Sequence, residues 1–218
     1  AKGEPTGELQ EIAAKFMALD TIGLAYSTEA SEKLALDNFG QIACQTGVTT
    51  ATDLFNSAPD EAVQNLAAWT AREDFRFRIA PAFGGASVPS AQGVERMAEL
   101  VKLNNDKLHF GLVKLVTDGS IQGMTGRMKW PGYYNGLPNG VWNTGPDELQ
   151  GMVQDYHDAG LQVYIHTNAD EASEVAINAI EATLTKSPRR DHRHTLQHCQ
   201  MADESQYRRM AALGIGVN

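Results

Sequence analysis

Three segments of this 218-residue chain place ionisable side chains where an apolar run gives way to a loop. They hold Lys114 and Asp118 in FGLVKLVTDGS, His166 and Asp170 in LQVYIHTNAD, and His198 in HTLQHCQ. An imidazole that closes an apolar strand is buried among β-branched neighbours, so it requires a hydrogen-bond partner or a metal. One such histidine reads as a satisfied core residue. Two at the same strand-end position favour a shared ion, because neutral imidazole is the commonest ligand of catalytic zinc. Lys114 lies inside its apolar run, where desolvation disfavours the ammonium form and lowers the pKa. A neutral amine there can act as a base, a nucleophile or an acceptor of carbon dioxide; the alternative is a lysine snorkelling to the sheet edge. Asp118 precedes Gly119, and Asp-Gly is also simply a turn. The HRH run at 192–194 belongs to the other rim: at about 3.3 Å per residue, His194 lies roughly 13 Å before His198 along one strand.

The elements that must position these groups follow from hydrophobic period. Six β-rich runs (47–54, 75–81, 110–118, 161–167, 194–200 and 214–218) alternate with amphipathic stretches at 60–73, 91–106, 147–160, 170–186 and 202–214. That alternation predicts βα units around a parallel sheet. Further helices are expected near 7–18 and 29–46. Gly145-Pro146-Asp147-Glu148 is a helix start, and Gly160 and Gly214 stand where helices end. In such folds chemistry gathers at the strand C-termini, where Lys114, Asp118, His166 and His198 fall. A complete eight-stranded barrel takes about 250 residues. Six strands and a final run ending abruptly at Asn218 therefore read as part of a barrel, with edges that favour a homo-oligomer.

Residues 119–146 break the rhythm with seven glycines, three prolines and the aromatics Trp130, Tyr133, Tyr134 and Trp142. Loops of this length are functional or disordered, and the aromatics favour a substrate-facing loop within the single domain 1–218, with Asp118, Trp130, Tyr133 and Tyr134 as candidate substrate contacts.

Composition narrows the function classes. Hydrophobic residues make up 42% of the chain and charged residues 21%, which excludes a disordered chain and a disulfide-stapled miniprotein. With 27 acidic against 18 basic residues, the net charge of -9 and the lack of a basic cluster argue against nucleic acid as partner. No apolar run is long enough to cross a bilayer. Cys44 and Cys199 read as reduced core thiols. A cytoplasmic location is expected, with a processed start left open because the chain does not begin with Met.

Five ordered blocks carry a resemblance: GEPTGELQE at 3–11, GVTTATD at 47–53, VKLVTDGS at 113–120, VYIHTNADEA at 163–172 and RHTLQHCQ at 193–200. Together they resemble the amidohydrolase superfamily, and most closely amidohydrolase family 3, the N-substituted formamide deformylase-like proteins. The resemblance implies a metal-dependent (β/α) TIM barrel holding one or two zinc ions. It places Lys114 as the strand-four lysine that can be carboxylated, and His166 and His198 as the strand-five and strand-six ligands. Asp170 becomes a candidate catalytic residue, although Ala169 replaces the glycine the family more often has before it. The family's first-strand His-x-His and strand-eight aspartate have no counterpart here, so weak or absent zinc binding and little activity are expected of this chain alone. The implied reaction is hydrolysis of a carbon-nitrogen bond in a small amide-type substrate by metal-activated water. Ester hydrolysis on the same scaffold and a non-catalytic barrel remain the alternatives.

Overall fold

In the computed structural model, residues 28–218 are described, together with Gly7, Leu9, Glu11, Lys15, Ala18 and Leu19. The helix expected over 7–18 falls largely outside the described residues. Strands β1 (Thr50–Ala51), β2 (Arg78–Ile79), β3 (Ala82–Gly84), β4 (Leu112–Val116), β5 (Gln162–Thr167), β6 (Thr195–His198) and β7 (Gly216–Val217) are parallel to their neighbours. The last five form one sheet in sequential order, β3-β4-β5-β6-β7, and β1 pairs with β2.

The run expected as one strand over 75–81 is thus two short pieces extending to Gly84, separated at Pro81. Proline has no N–H for the ladder, which interrupts regular pairing there. The chain nevertheless stays in line, since the N–H groups of Ala80 and Ala82 donate to the carbonyls of Ala51 and Asp53 (2.9 and 2.7 Å). The segment 50–56 therefore runs beside 78–84 and joins the two ladders into a continuous series of strands.

Helices α1 (Glu29–Thr46), α2 (Asp60–Thr70), α3 (Ser90–Leu100), α4 (Pro146–Asp158), α5 (Asp170–Lys186) and α6 (Glu204–Leu213) lie between them. Their ends follow local chemistry. Pro146 occupies the first turn of α4 with Asp147 and Glu148 beside it. Asp203 and Gln206 cap α6 reciprocally, and Gly214 closes it at φ 72°, a left-handed conformation that costs glycine little.

Strand alternation then separates two faces. Val113, Leu115, Val163, Ile165 and Leu196 bury one face against Met97, Leu149, Val153, Tyr156, Ile177, Ile180 and Met210 from the helices. Each fully buried side chain of this size contributes about 1.5–3 kcal/mol. The opposite face carries Lys114, Tyr164, His166 and Gln197, which adjacent strands place in register. Cys199 is buried, whereas Cys44 is exposed on α1 rather than part of the core. Among the described residues no helix is long and apolar enough to cross a membrane.

Candidate functional site

The C-terminal ends of β4, β5 and β6 converge on one locus. Asp118, just past β4, is fully buried, and its carboxylate accepts three backbone N–H bonds: from Asn168 (2.9 Å), Ala169 (3.0 Å) and Arg127 (3.0 Å). It thereby binds the β5–α5 turn to the start of the long loop. Burial pushes its pKa up, and the backbone donors oppose that shift.

His166, near the end of β5, points along the polar face. Its Nε2 lies 2.8 Å from the carbonyl oxygen of Gly119, which also accepts from Asn168 Nδ2 at 2.7 Å. Because a carbonyl can only accept, the network assigns the proton of neutral His166 to Nε2 and leaves the Nδ1 lone pair for another partner. Asp118 Oδ1 stands 3.6 Å from the same Nε2. Burial is the largest cause lowering the His166 pKa, opposed by the Gly119 carbonyl; the Lys114 charge lowers it further and the Glu11 carboxylate raises it.

His198 reaches the site by a route that strand period does not give. Register pairs it with Thr167, whose side chain is buried and contacts Cys199 and Ser173. His198 and Cys199, however, adopt φ of 76° and 45°, and consecutive left-handed residues re-aim the chain at the strand end. The ring of His198 stands with its centroid 4.7 Å from that of His166, nearly edge-on. Desolvation, then the neighbouring His166 and Lys114, lower its pKa.

Lys114 is buried rather than snorkelling, at 5% exposure, and burial lowers its pKa to about 8. Its Nζ donates to Gln197 Oε1 on β6, while Gln197 Nε2, also buried, has no hydrogen-bond partner among the described residues. Sequence reasoning passed over Gln197, although its position one residue before His198 and in register with His166 marks it as facing the same interior.

Asp170 is turned elsewhere: its Oδ1 accepts from the backbone N–H of Lys129 (2.8 Å) and Glu171 (3.0 Å). The loop 119–146 is folded on itself and on α5. Arg127 lies 4.8 Å from the Trp142 ring centroid, pairs with Glu171 at 2.9 Å and donates to the Asn139 carbonyl. Tyr133 donates its hydroxyl to the Gly126 carbonyl, whereas Trp130 and Tyr134 are 94% and 100% exposed.

As a donor set, the locus offers the two imidazoles and the Lys114 amine. Among the described residues, no three His, Cys, Asp or Glu side chains stand close enough together to hold a metal ion. The imidazoles fit a divalent cation, given the free Nδ1 of His166 and the adjacent His198 ring. Lys114, as the amine or its carbamate, is a further donor close enough to both imidazoles to affect their titration.

A model for the amidohydrolase family matches residues 1–218, the whole length. The chain belongs to the amidohydrolase family. It is 30% identical over 127 residues to YtcJ of Bacillus subtilis, a protein named as an amidohydrolase, across 58% of this chain and 23% of that protein. Two solved structures described as uncharacterized metal-dependent hydrolases are similar in fold. One is from Pyrococcus furiosus (18% identity, TM-score 0.73, 98% of this chain and 44% of that one) and the other from Pyrococcus horikoshii (17%, 0.74, 98% and 43%). The architecture is the parallel α/β arrangement of these hydrolases, and the chain spans less than half the length of either.

Proposed function

We propose that this amidohydrolase chain supplies the strand-four to strand-six side of a metal-dependent hydrolase site, acting on the carbon-nitrogen bond of a small amide, formamide or cyclic amide. The observation that carries the reading is the pair of imidazoles 4.7 Å apart at the strand ends, with one tautomer set by the Gly119 carbonyl. His166 through Nδ1, His198 and Lys114 would hold a zinc-type cation. Such an ion, when bound, acts as a Lewis acid toward a carbonyl and makes water a stronger acid.

The chain's own residues prepare the site. The Gly119 carbonyl orients His166, and partners of this kind are typically worth 10–100-fold in metal affinity or activity. Asp118 fixes the backbone carrying Gly119 and Asn168. Gln197 holds the Lys114 amine, whose lowered pKa makes the neutral, carbon dioxide-reactive form available near neutral pH. Trp130 and Tyr134 present exposed rings on the adjoining loop as substrate contacts, and Tyr133 braces that loop.

The test is hydrolysis by the full-length protein, loaded with zinc, of paired amide and ester substrates sharing one acyl group. Amide turnover that falls by about 10²–10⁴ in His166→Ala and in His198→Ala is expected, since loss of metal function removes several kcal/mol of transition-state stabilisation. Turnover indifferent to both substitutions would overturn the proposal; a preference for the ester would overturn the bond assignment.

A further inference from the structure

The amide of Gln197 is only half used. Its Oε1 accepts from the Lys114 amine, while its Nε2, equally buried, donates to nothing among the described residues. Gln197 is fully buried and Lys114 nearly so, which keeps the pair away from bulk water. A buried donor without an acceptor is costly, and in a native fold it calls for an explanation. The group to look for is an acceptor.

Register places Gln197 beside His166, with Lys114 one strand further on and on the same face. Lys114 has no carboxylate partner among the described residues, and the ammonium form would offer Gln197 Nε2 donors only. Carbon dioxide is small and uncharged, so it reaches a buried amine without the desolvation cost that keeps ions out. There the Nζ lone pair bonds to the carbon, a C–O π pair moves onto oxygen, and one N–H proton passes to solvent, leaving a carbamate. The product keeps one N–H and gains, on the same edge, an oxygen that only accepts. A primary amide is the complement of that edge: Oε1 retains the N–H and Nε2 gains the oxygen.

We propose that Gln197 is a positioning residue that recognises the carbamate of Lys114, its Oε1 accepting the carbamate N–H and its Nε2 donating to a carbamate oxygen. The proposal rests on the site reading above, in which Lys114 serves as amine or carbamate, and adds the group that selects between the two. Paired hydrogen bonds from one amide also fix the plane of the carbamate, a constraint that a single contact to an amine does not impose. Gln197 immediately precedes His198 on β6, so one strand end carries both the carbamate's partner and an imidazole of the site.

Carbon-13 NMR of the full-length protein in ¹³C-bicarbonate, with and without zinc, tests the assignment, and Lys114→Met identifies the carbamate signal by its loss. Gln197→Glu keeps the size and an acceptor but replaces the donor, whereas Gln197→Met removes both polar groups at similar length. Each is expected to raise the bicarbonate concentration for half-carboxylation at least about tenfold, the loss typical of a hydrogen bond to a charged group. Circular dichroism confirms that the variants are folded. In the ¹⁵N-labelled unaltered protein, the Gln197 side-chain NH₂ signal, identified by its absence from Gln197→Glu, should move on adding bicarbonate and stay in place in Lys114→Met. Carbamate formed as readily in both Gln197 variants, or an NH₂ signal indifferent to bicarbonate, would overturn the role of Gln197 and leave the site of His166 and His198 standing. Carbamate absent from the unaltered protein in both zinc states would overturn it too and restrict Lys114 to its amine, while the metal reading answers separately to His166→Ala and His198→Ala.

Discussion

Asp118 illustrates what one residue contributes when its chemistry is spent on the backbone. Its two oxygens take three N–H donors from two separated segments, Arg127 and the adjacent Asn168 and Ala169, so the carboxylate acts as a clamp on the loop that carries Gly119. Asp118→Asn turns an NH₂ group toward N–H donors and removes the charge. A loss of about 2–4 kcal/mol in urea unfolding is expected, as for a buried charged acceptor replaced by a poorly matched group. A loss below about 0.5 kcal/mol would show that the clamp is dispensable. At this scale the sequence was legible where a polar residue interrupts an apolar run: Lys114 and His166 stand out for that reason. Gln197 was not, because an amide carries no charge to attract notice. His198 is a mixed case. Its type was readable, but its aim depends on positive φ at His198 and Cys199, which no side-chain period encodes.

Between elements, α3 and α4 meet closely at Gly93. Tyr156 on α4 is fully buried and donates its hydroxyl to the Gly85 carbonyl at 2.9 Å; Gly93 on α3 lies against that hydroxyl, and a Cβ there would overlap it. Gly93→Ala should therefore cost about 1–3 kcal/mol by overpacking, even though alanine is the better helix former. Tyr156→Phe alone removes the hydrogen bond and leaves the Gly85 carbonyl unpaired, at a cost of about 1–3 kcal/mol. In the double variant the clash atom is gone, so the two costs should fall short of additive by at least about 0.5 kcal/mol. Strict additivity in thermal or urea unfolding would count against this packing account. The βα alternation itself was readable because each apolar run is flanked by an amphipathic stretch. The split at Pro81 was partly readable from proline's missing N–H, but the continuation to Gly84 was hidden in a run of small residues. The order within 119–146 was not readable, since Arg127 is held by Trp142, Asn139 and Glu171, contacts that composition does not predict.

Across the whole molecule, the two rims of the sheet do different work. The C-terminal rim gathers the candidate ligands, while the N-terminal rim is fastened by the histidines of the HRH run. The Val163 N–H donates to His194 Nδ1 (3.0 Å), which fixes His194 as the Nε2–H tautomer donating to His157 Nδ1 (2.8 Å). His157 in turn donates from Nε2 to the Ser187 carbonyl (2.8 Å). His192 accepts the His194 N–H and faces the Leu213 carbonyl at the end of α6. Every link requires a neutral ring, and this relay joins β5, β6, α4 and α6. Burial, with His192, His157 and Arg189 nearby, lowers the His194 pKa to about 3 from an ordinary 6.5. The folded state therefore binds fewer protons than the unfolded state between those values. The stabilisation is fully present above about pH 6.5 and is lost as pH falls, by up to about 1.4 kcal/mol per unit and about 5 kcal/mol in all. His157, His166 and His198 are shifted the same way and add to the slope. Urea midpoints should accordingly fall steeply from pH 7 to pH 5, a window above most carboxylate titrations. His194→Gln should begin less stable at pH 7.5, because the Val163 and His157 bonds are disturbed, yet lose less on acidification. Parallel pH profiles for the two proteins would mean that acid lability resides elsewhere and that the relay is only a packing feature of the rim.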